Sequence, residues 1–261
     1  MIGDKKILSV ILARARSQGI PGKNYYELLG KPLFVWSVLA SLNSKYVDMT
    51  VVSSNCPYCR DIFDGIFYNY NLDIDYERKF DLIKKLEWID RPEEFARDTS
   101  INEEALIHAY NIMNNKDLDA DIIMTLQPTS PCRLNLVDKC IEKYYNGDYD
   151  SLLTASKDTP FIWQKIDGKW EFTVDKNGCC NRKMRKNFNE NEFIFHDNGN
   201  LYLTDRNILL QRGCRIGDKP CVYETEGINS IQIDKQEDFE FIEAIVKIRK
   251  LESLIRENNY E

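Results

Sequence analysis

Short apolar runs recur along this chain, each too brief for a helix, with stretches of helical spacing between them. Ile7–Leu12, Met49–Ser53, Asp121–Leu126 and Ser151–Ala155 are such runs. Between them Pro32–Leu42, a segment from about Tyr58, and Leu136–Tyr145 carry apolar residues three and four apart. Strands joined by helices run parallel, and a parallel sheet must be covered on both faces. The alternation therefore predicts an α/β fold: a Rossmann-like, mostly parallel sheet with helices on both faces. Asn200–Leu203 returns to strand character, and Phe239–Arg256 reads as a closing helix, acidic at its start and basic further along.

With 261 residues the chain suits one domain, 1–261, and no internal repeat divides it. From Lys157 to about Phe195 the texture changes to Lys, Asn, Trp and Phe with weak periodicity. Linkers carry fewer aromatics, so this segment reads as an inserted subdomain or arm. The net charge of -7 excludes a general nucleic-acid binder, since no excess of Lys and Arg neutralises phosphates. No run of about 18 apolar residues is present, which predicts no membrane span. The opening MIGDKKILSVILARAR lacks a cleavage-site pattern and reads as a first strand, so a cytoplasmic protein is expected. The eight cysteines then read as free thiols, with Cys56 and Cys59 at a helix start.

The polar loops following the strands are where ligands of such sheets gather. Arg14 to Asn24 follows the first strand and combines Arg14, Lys23 and glycines, a composition suited to phosphate oxygens. It matches neither G-x-x-x-x-G-K-[ST] nor G-x-G-x-x-G. Gln127-Pro128-Thr129-Ser130-Pro131 follows the DIIMTL run and holds three polar side chains in a stiffened turn. In Arg97-Asp98-Thr99-Ser100 a side chain is placed to cap a helix over Ile101–Met113. Asn198-Gly199-Asn200 turns into a strand, and alternation in Ile231-Gln232-Ile233-Asp234 puts Gln232 and Asp234 on one face.

In this order and spacing the segments resemble the cytidylyltransferases that make CMP-sialic acid and related CMP-ulosonates. ARARSQGIPGKN is similar to that family's opening pattern, and GKPL from Gly30, RPEEFARDTS from Arg91, LQPTSPCR from Leu126, NGNLY from Asn198 and IQIDKQED from Ile231 follow in turn. The resemblance implies a GT-A-like nucleotidyltransferase fold and transfer of CMP from CTP to the anomeric hydroxyl of an acidic nonulosonic sugar, with Mg²⁺ as cofactor. It further implies that Arg14 and Lys23 hold the CTP phosphates, with Ser17, Gly19 and Asn24 shaping the loop. Arg97, Asp98, Thr99 and Ser100 would border the cytosine, Gln127, Thr129 and Ser130 would reach the sugar, and Asn198 and Gly199 would take part in binding the substrates. Arg182 or Arg185 would meet its carboxylate. Asp234 would bind Mg²⁺, with Gln232 or Asp98 as the second ligand.

Two positions depart from the family. Gln18 replaces a usual Lys, and Gln232 replaces a usual second Asp. An amide oxygen coordinates Mg²⁺ but brings no charge. The alternatives are a sugar-1-phosphate nucleotidyltransferase, whose usual glycine-rich opening is absent, and a non-catalytic nucleotide-binding homologue. A homodimer is expected, the aromatic arm reaching to the partner.

Overall fold

The computed structural model describes residues 1–16, 19–69, 76–133, 135–172 and 183–249. In chain order it runs β1 (Ile7–Leu12), a short hairpin of β2 (Glu27–Leu28) and β3 (Lys31–Pro32), α1 (Leu33–Leu42), β4 (Met49–Ser54), α2 (Pro57–Asp64), α3 (Ile66–Asn69), α4 (Tyr76–Lys84) and β5 (Leu86–Asp90). There follow α5 (Asn102–Asn114), β6 (Ile122–Leu126), α6 (Leu136–Tyr145), β7 (Ser151–Asp158), a hairpin of β8 (Trp163–Ile166) and β9 (Lys169–Phe172), β10 (Ile194–Asp205), α7 (Arg206–Arg212), β11 (Pro220–Glu224) and α8 (Gln236–Arg249).

One seven-stranded sheet has the order β11-β7-β10-β6-β1-β4-β5. It is parallel except at β10, which runs antiparallel to both β6 and β7. Alternation along β1 assigns its residues to two cores. Ile7 and Ile11 join Phe34 and Val38 of α1 and Ile141 and Tyr144 of α6 on one face. Leu8 and Val10 join Leu106, Tyr110 and Met113 of α5 and Leu209 of α7 on the other. A third cluster lies at the sheet edge, where Phe239, Ile242 and Val246 of α8 pack with Ile20, Leu28, Leu33, Trp36 and Ile233. That cluster fastens the chain around Asp234 to the loop after β1. Among the described residues, no helix is long and apolar enough to cross a membrane.

Several expectations need correction. No side chain caps α5: its N-cap is Ile101, and the Ser100 hydroxyl instead donates to the Glu94 carbonyl at 2.5 Å. Ile231–Asp234 is not a strand but extended chain after a single-turn helix at Gly227–Ser230, so no ladder sets its two faces. The expected closing helix is described as far as Arg249, and its continuation to Arg256 lies outside the described residues. Cys56 and Cys59 do sit at a helix start and are buried there, burial pushing the Cys59 thiol up.

The segment 157–195 is rooted in the main sheet, since β7 and β10 remain paired out to Asp158 and Ile194. Beyond that root β8 and β9 form an exposed two-stranded hairpin. Phe161, Trp163, Phe172, Phe188 and Phe193 contact one another in series at its base.

Candidate active site

Because β1, β4 and β6 are parallel, the loops after them open on one edge. The loop after β1 is pinned where it leaves the strand. Ala13 N–H donates to the Ser53 carbonyl at 3.0 Å, Ala15 N–H to Asn55 Oδ1 at 2.8 Å, and Asn24 Nδ2 to the Arg14 carbonyl at 2.8 Å. Asn24 thus closes the loop on itself. At Gly19 a Cβ would stand 2.7 Å from the Asp234 carbonyl oxygen, a separation side chains do not tolerate, so glycine lets the loop lie against Asp234. Lys23 is buried, and its Nζ donates to the Ile233 carbonyl at 2.7 Å and to Asp234 Oδ1 at 3.2 Å. Ser17 lies outside the described residues.

A second group of cations borders this loop. Arg14 Nη1 donates to the Arg97 carbonyl at 3.1 Å and pairs with Asp98 at 3.2 Å. The segment 97–100 is therefore brought to the phosphate-loop candidate, although the Arg97, Asp98 and Thr99 side chains remain exposed. Arg91, at the end of β5, is buried and donates to Ser53 Oγ at 3.1 Å and the Ser53 carbonyl at 2.5 Å. Burial first, then the neighbouring Arg14 charge, pulls its guanidinium down to about 10, which still leaves it cationic at neutral pH. Arg14, Arg91 and Lys23 give this edge a concentration of positive charge suited to a polyphosphate.

The third part is built around the turn into β10. The pairing of β10 with β7 breaks between Asp197 and Tyr202, and Gly199 occupies that break with φ 63°. A Cβ on Gly199 would lie 2.3 Å from the Gln232 amide nitrogen and 2.8 Å from the Gln127 amide oxygen, so the two glutamines converge on a bare backbone. Asn198 is buried. It accepts from Thr154 Oγ1 at 2.8 Å and donates to Thr225 Oγ1 at 2.6 Å and Ser156 Oγ at 3.2 Å. The Thr129 hydroxyl lies 3.5 Å from Gln127 Oε1, and Ser130 is buried with its hydroxyl unpaired among the described residues. Ser156 and Thr225 also line a cavity of about 490 Å³ whose wall carries Lys157 and Arg185 alongside Asp158, Glu224 and Glu226. Of the two arginine candidates, Arg185 is thus on a cavity wall, while Arg182 lies outside the described residues.

Among the described residues no three His, Cys, Asp or Glu side chains are grouped to hold a metal ion. Mg²⁺ does not need such a group, because it is commonly held by one or two carboxylates together with substrate phosphates. Asp234 fits that role: its side chain is 69% exposed at the edge, and among the described residues only Oδ1 is committed, to Lys23. Asp98 fits it less well, its carboxylate being engaged by Arg14.

A family model described as cytidylyltransferase matches residues 8–69. An N-acylneuraminate cytidylyltransferase of Escherichia coli O18:K1:H7 is 25% identical over 90% of this chain and 51% of its own length. The CMP-N,N'-diacetyllegionaminic acid synthase of Legionella pneumophila is 25% identical over 94% of this chain and 98% of its own. Over nearly its whole length the chain is similar to cytidylyltransferases and synthases of these names. It spans about half the length (51%) of several acylneuraminate enzymes it matches and nearly all of the legionaminic acid synthase. A solved structure of CMP:2-keto-3-deoxy-manno-octonic acid synthetase complexed with CTP superposes with a TM-score of 0.60 at 15% identity, covering 94% of this chain and 99% of that one, and bears on the fold alone.

Two arginines that carried no role in the sequence reading matter to the geometry. Arg91 was visible as the first residue of the RPEEFARDTS segment, and Arg133 as the last of LQPTSPCR. Arg133 is buried and donates to Ser37 Oγ at 3.0 Å, the Gln127 carbonyl at 2.5 Å and the Asn200 carbonyl at 3.0 Å. Burial lowers its guanidinium to about 9, and among the described residues no carboxylate pairs with it. It ties the loop after β6 to the turn into β10. A cation inside an otherwise uncharged turn was the available signal.

Proposed function

We propose that this chain transfers CMP from CTP to the anomeric hydroxyl of an acidic nonulosonic sugar, releasing pyrophosphate. One observation carries the reading: Gly19, Lys23 and Asp234 are locked together beside Arg14 and Arg91, on the same edge where Gln127 and Gly199 lead to the Arg185 cavity. A cationic edge next to a polar cavity suits a triphosphate and a carboxylated acceptor held side by side.

In this reading Arg14, Arg91 and Lys23 bind the phosphates, and Arg185 binds the sugar carboxylate. The anomeric oxygen forms a bond to the α-phosphorus while the bond from that phosphorus to the leaving pyrophosphate oxygen breaks. The hydroxyl proton passes to solvent at the open edge. Mg²⁺ would be held by Asp234 and phosphate oxygens and would supply charge neutralisation. Lys23 and the arginines stabilise the negative charge that grows on the departing pyrophosphate, and the rigid loop fixes the phosphates for in-line attack. The protein partner in this reading is a second copy of the chain: Trp163 and Trp170 are 49% and 67% exposed on the hairpin, and aromatic residues are enriched at interfaces.

The test is pyrophosphate release from CTP, ATP, GTP and UTP with a panel of nonulosonic acids. Release is expected with CTP and at least one acid and poor release with purine nucleotides, because a pocket fitted to one base leaves polar groups unpaired with another.

A further inference from the structure

Resting on the reading above, we infer that Gln232 is an acceptor-reading residue that acts as a pair with Gln127, and that its place is with the sugar and not with the metal. The juxtaposition at Gly199 is the basis. Its left-handed φ and lack of a Cβ let both glutamine amides lie against the same stretch of backbone.

Both amides have unspent hydrogen-bonding capacity. The Gln232 side chain makes no hydrogen bond to another described residue, and Gln127 shares only the long Thr129 contact at 3.5 Å, to its oxygen. Each amide offers two donors and an acceptor with two lone pairs. Both are half-buried and open to water, so solvent meets this capacity in the free protein and a polar ligand entering here would take it over. Neutral donors and acceptors in one place suit hydroxyl and carbonyl oxygens of a polyol acid. A divalent cation is better served by charge, which Asp234 and phosphates provide.

The surroundings locate the pair. On one side Ile233 follows Gln232 directly, its N–H donating to the Thr129 carbonyl at 2.8 Å and its own carbonyl taking Lys23 Nζ. On the other side Gly199 continues into Asn198, whose amide holds Ser156 and Thr225 of the cavity wall. The two amides thus stand between the phosphate-binding edge and the cavity. An acceptor reaching from one to the other must pass them. Shortening Gln232 to the usual Asp would remove a methylene and both donors.

The experiment compares wild type with Gln232→Met, which keeps the length and loses the amide, Gln232→Ala, and Gln232→Asp. For each, the KM for acid, the KM for CTP and the half-activating Mg²⁺ concentration are measured, with acid binding by calorimetry as a readout independent of turnover. Both Gln232→Met and Gln232→Ala are expected to raise the acid KM and its dissociation constant by ~10-fold or more. The CTP KM and Mg²⁺ requirement should stay within about twofold, and Gln232→Asp should not restore acid binding. A shifted Mg²⁺ requirement with unchanged acid binding, or an Asp variant that improves turnover, overturns the inference while leaving the proposed reaction standing. If wild type uses no acid at all, the reaction itself is wrong and the inference falls with it.

Discussion

The ammonium of Lys23 lies 3.2 Å from Oδ1 of Asp234, although 211 positions separate them in the chain. Lys23 is 8% exposed and Asp234 69%, so the pair is asymmetric: one partner is locked in place and the other faces the open edge. Nζ also donates to the Ile233 carbonyl, which fixes the charge by a neutral acceptor as well as by a carboxylate. A positioned, partly desolvated cation of this kind stabilises phosphate charge more than a mobile surface lysine does.

Lys23→Ala should therefore cut turnover by ~100-fold or more, through the missing phosphate charge. It also leaves the Ile233 carbonyl without its Lys23 donor, at a cost of about 1–3 kcal/mol in stability. Asp234→Asn should lose Mg²⁺-dependent turnover with the fold intact, because an exposed carboxylate contributes little packing. Steady-state rates alongside urea denaturation separate the two effects. An Asp234→Asn enzyme near the wild-type rate contradicts the metal assignment.

Arg133 sets a different kind of test. Its guanidinium joins Ser37, Gln127 and Asn200 inside the protein, and Arg133→Leu would leave those acceptors without it. Hydrogen bonds to charged groups contribute about 1.5–3 kcal/mol each, partly offset here by the cost of burying the charge. A loss of at least about 2 kcal/mol is expected in the urea transition. Arg133→Lys should recover only part of it, since an ammonium cannot span three acceptors in the geometry of a planar fork.

How much of this was legible beforehand depended on chain locality. The strands β1, β4, β6 and the first part of β7 stood out because they are short runs rich in apolar residues and free of charged ones, as central parallel strands are. β5 was missed: in Leu86–Asp90 the charged Glu87 and Asp90 break the apolar run, and the strand lies at the sheet edge. β11, on the opposite edge, was missed because Pro220–Glu224 holds an apolar run of just Cys221, Val222 and Tyr223, of which Cys221 alone is buried. Lys23 and Asp234 were each identified by resemblance. Their contact was not, because it depends on the packing of α8 with Ile20 and Ile233, and nothing local encodes that. The cap expected in 97–100 failed because tertiary partners took the polar groups, Arg14 binding Asp98 and Glu94 receiving Ser100.

His108 supplies a pH dependence with a definite sign. Burial first, then the Arg91 charge, lowers its pKa below the ordinary 6.5, while Glu94 opposes the shift. Between the lowered folded value and 6.5 the unfolded chain binds more protons than the folded one. Stability therefore falls as pH drops below 6.5. The denaturant midpoint measured from pH 7.5 down to about 5 should decline, and His108→Gln should flatten that slope. An unchanged slope in the variant contradicts the assignment.

The exposed hairpin predicts assembly. Trp163→Ser combined with Trp170→Ser should shift a dimer to monomer in light scattering at micromolar concentration, leaving the far-ultraviolet circular dichroism close to wild type. Wild-type protein that is already monomeric under those conditions contradicts the proposed role of the arm.

The central claim is the joining of CMP to the anomeric oxygen of an acid, and product identification by mass spectrometry tests it most directly. The protein is given CTP and Mg²⁺ with a nonulosonic acid in one vessel and a sugar 1-phosphate in another. The account predicts a CMP-acid adduct carrying a single phosphorus, with one equivalent of pyrophosphate, in the first vessel and no adduct in the second. A two-phosphorus CDP-sugar in the second vessel, or CTP bound tightly with no adduct in either, would contradict it.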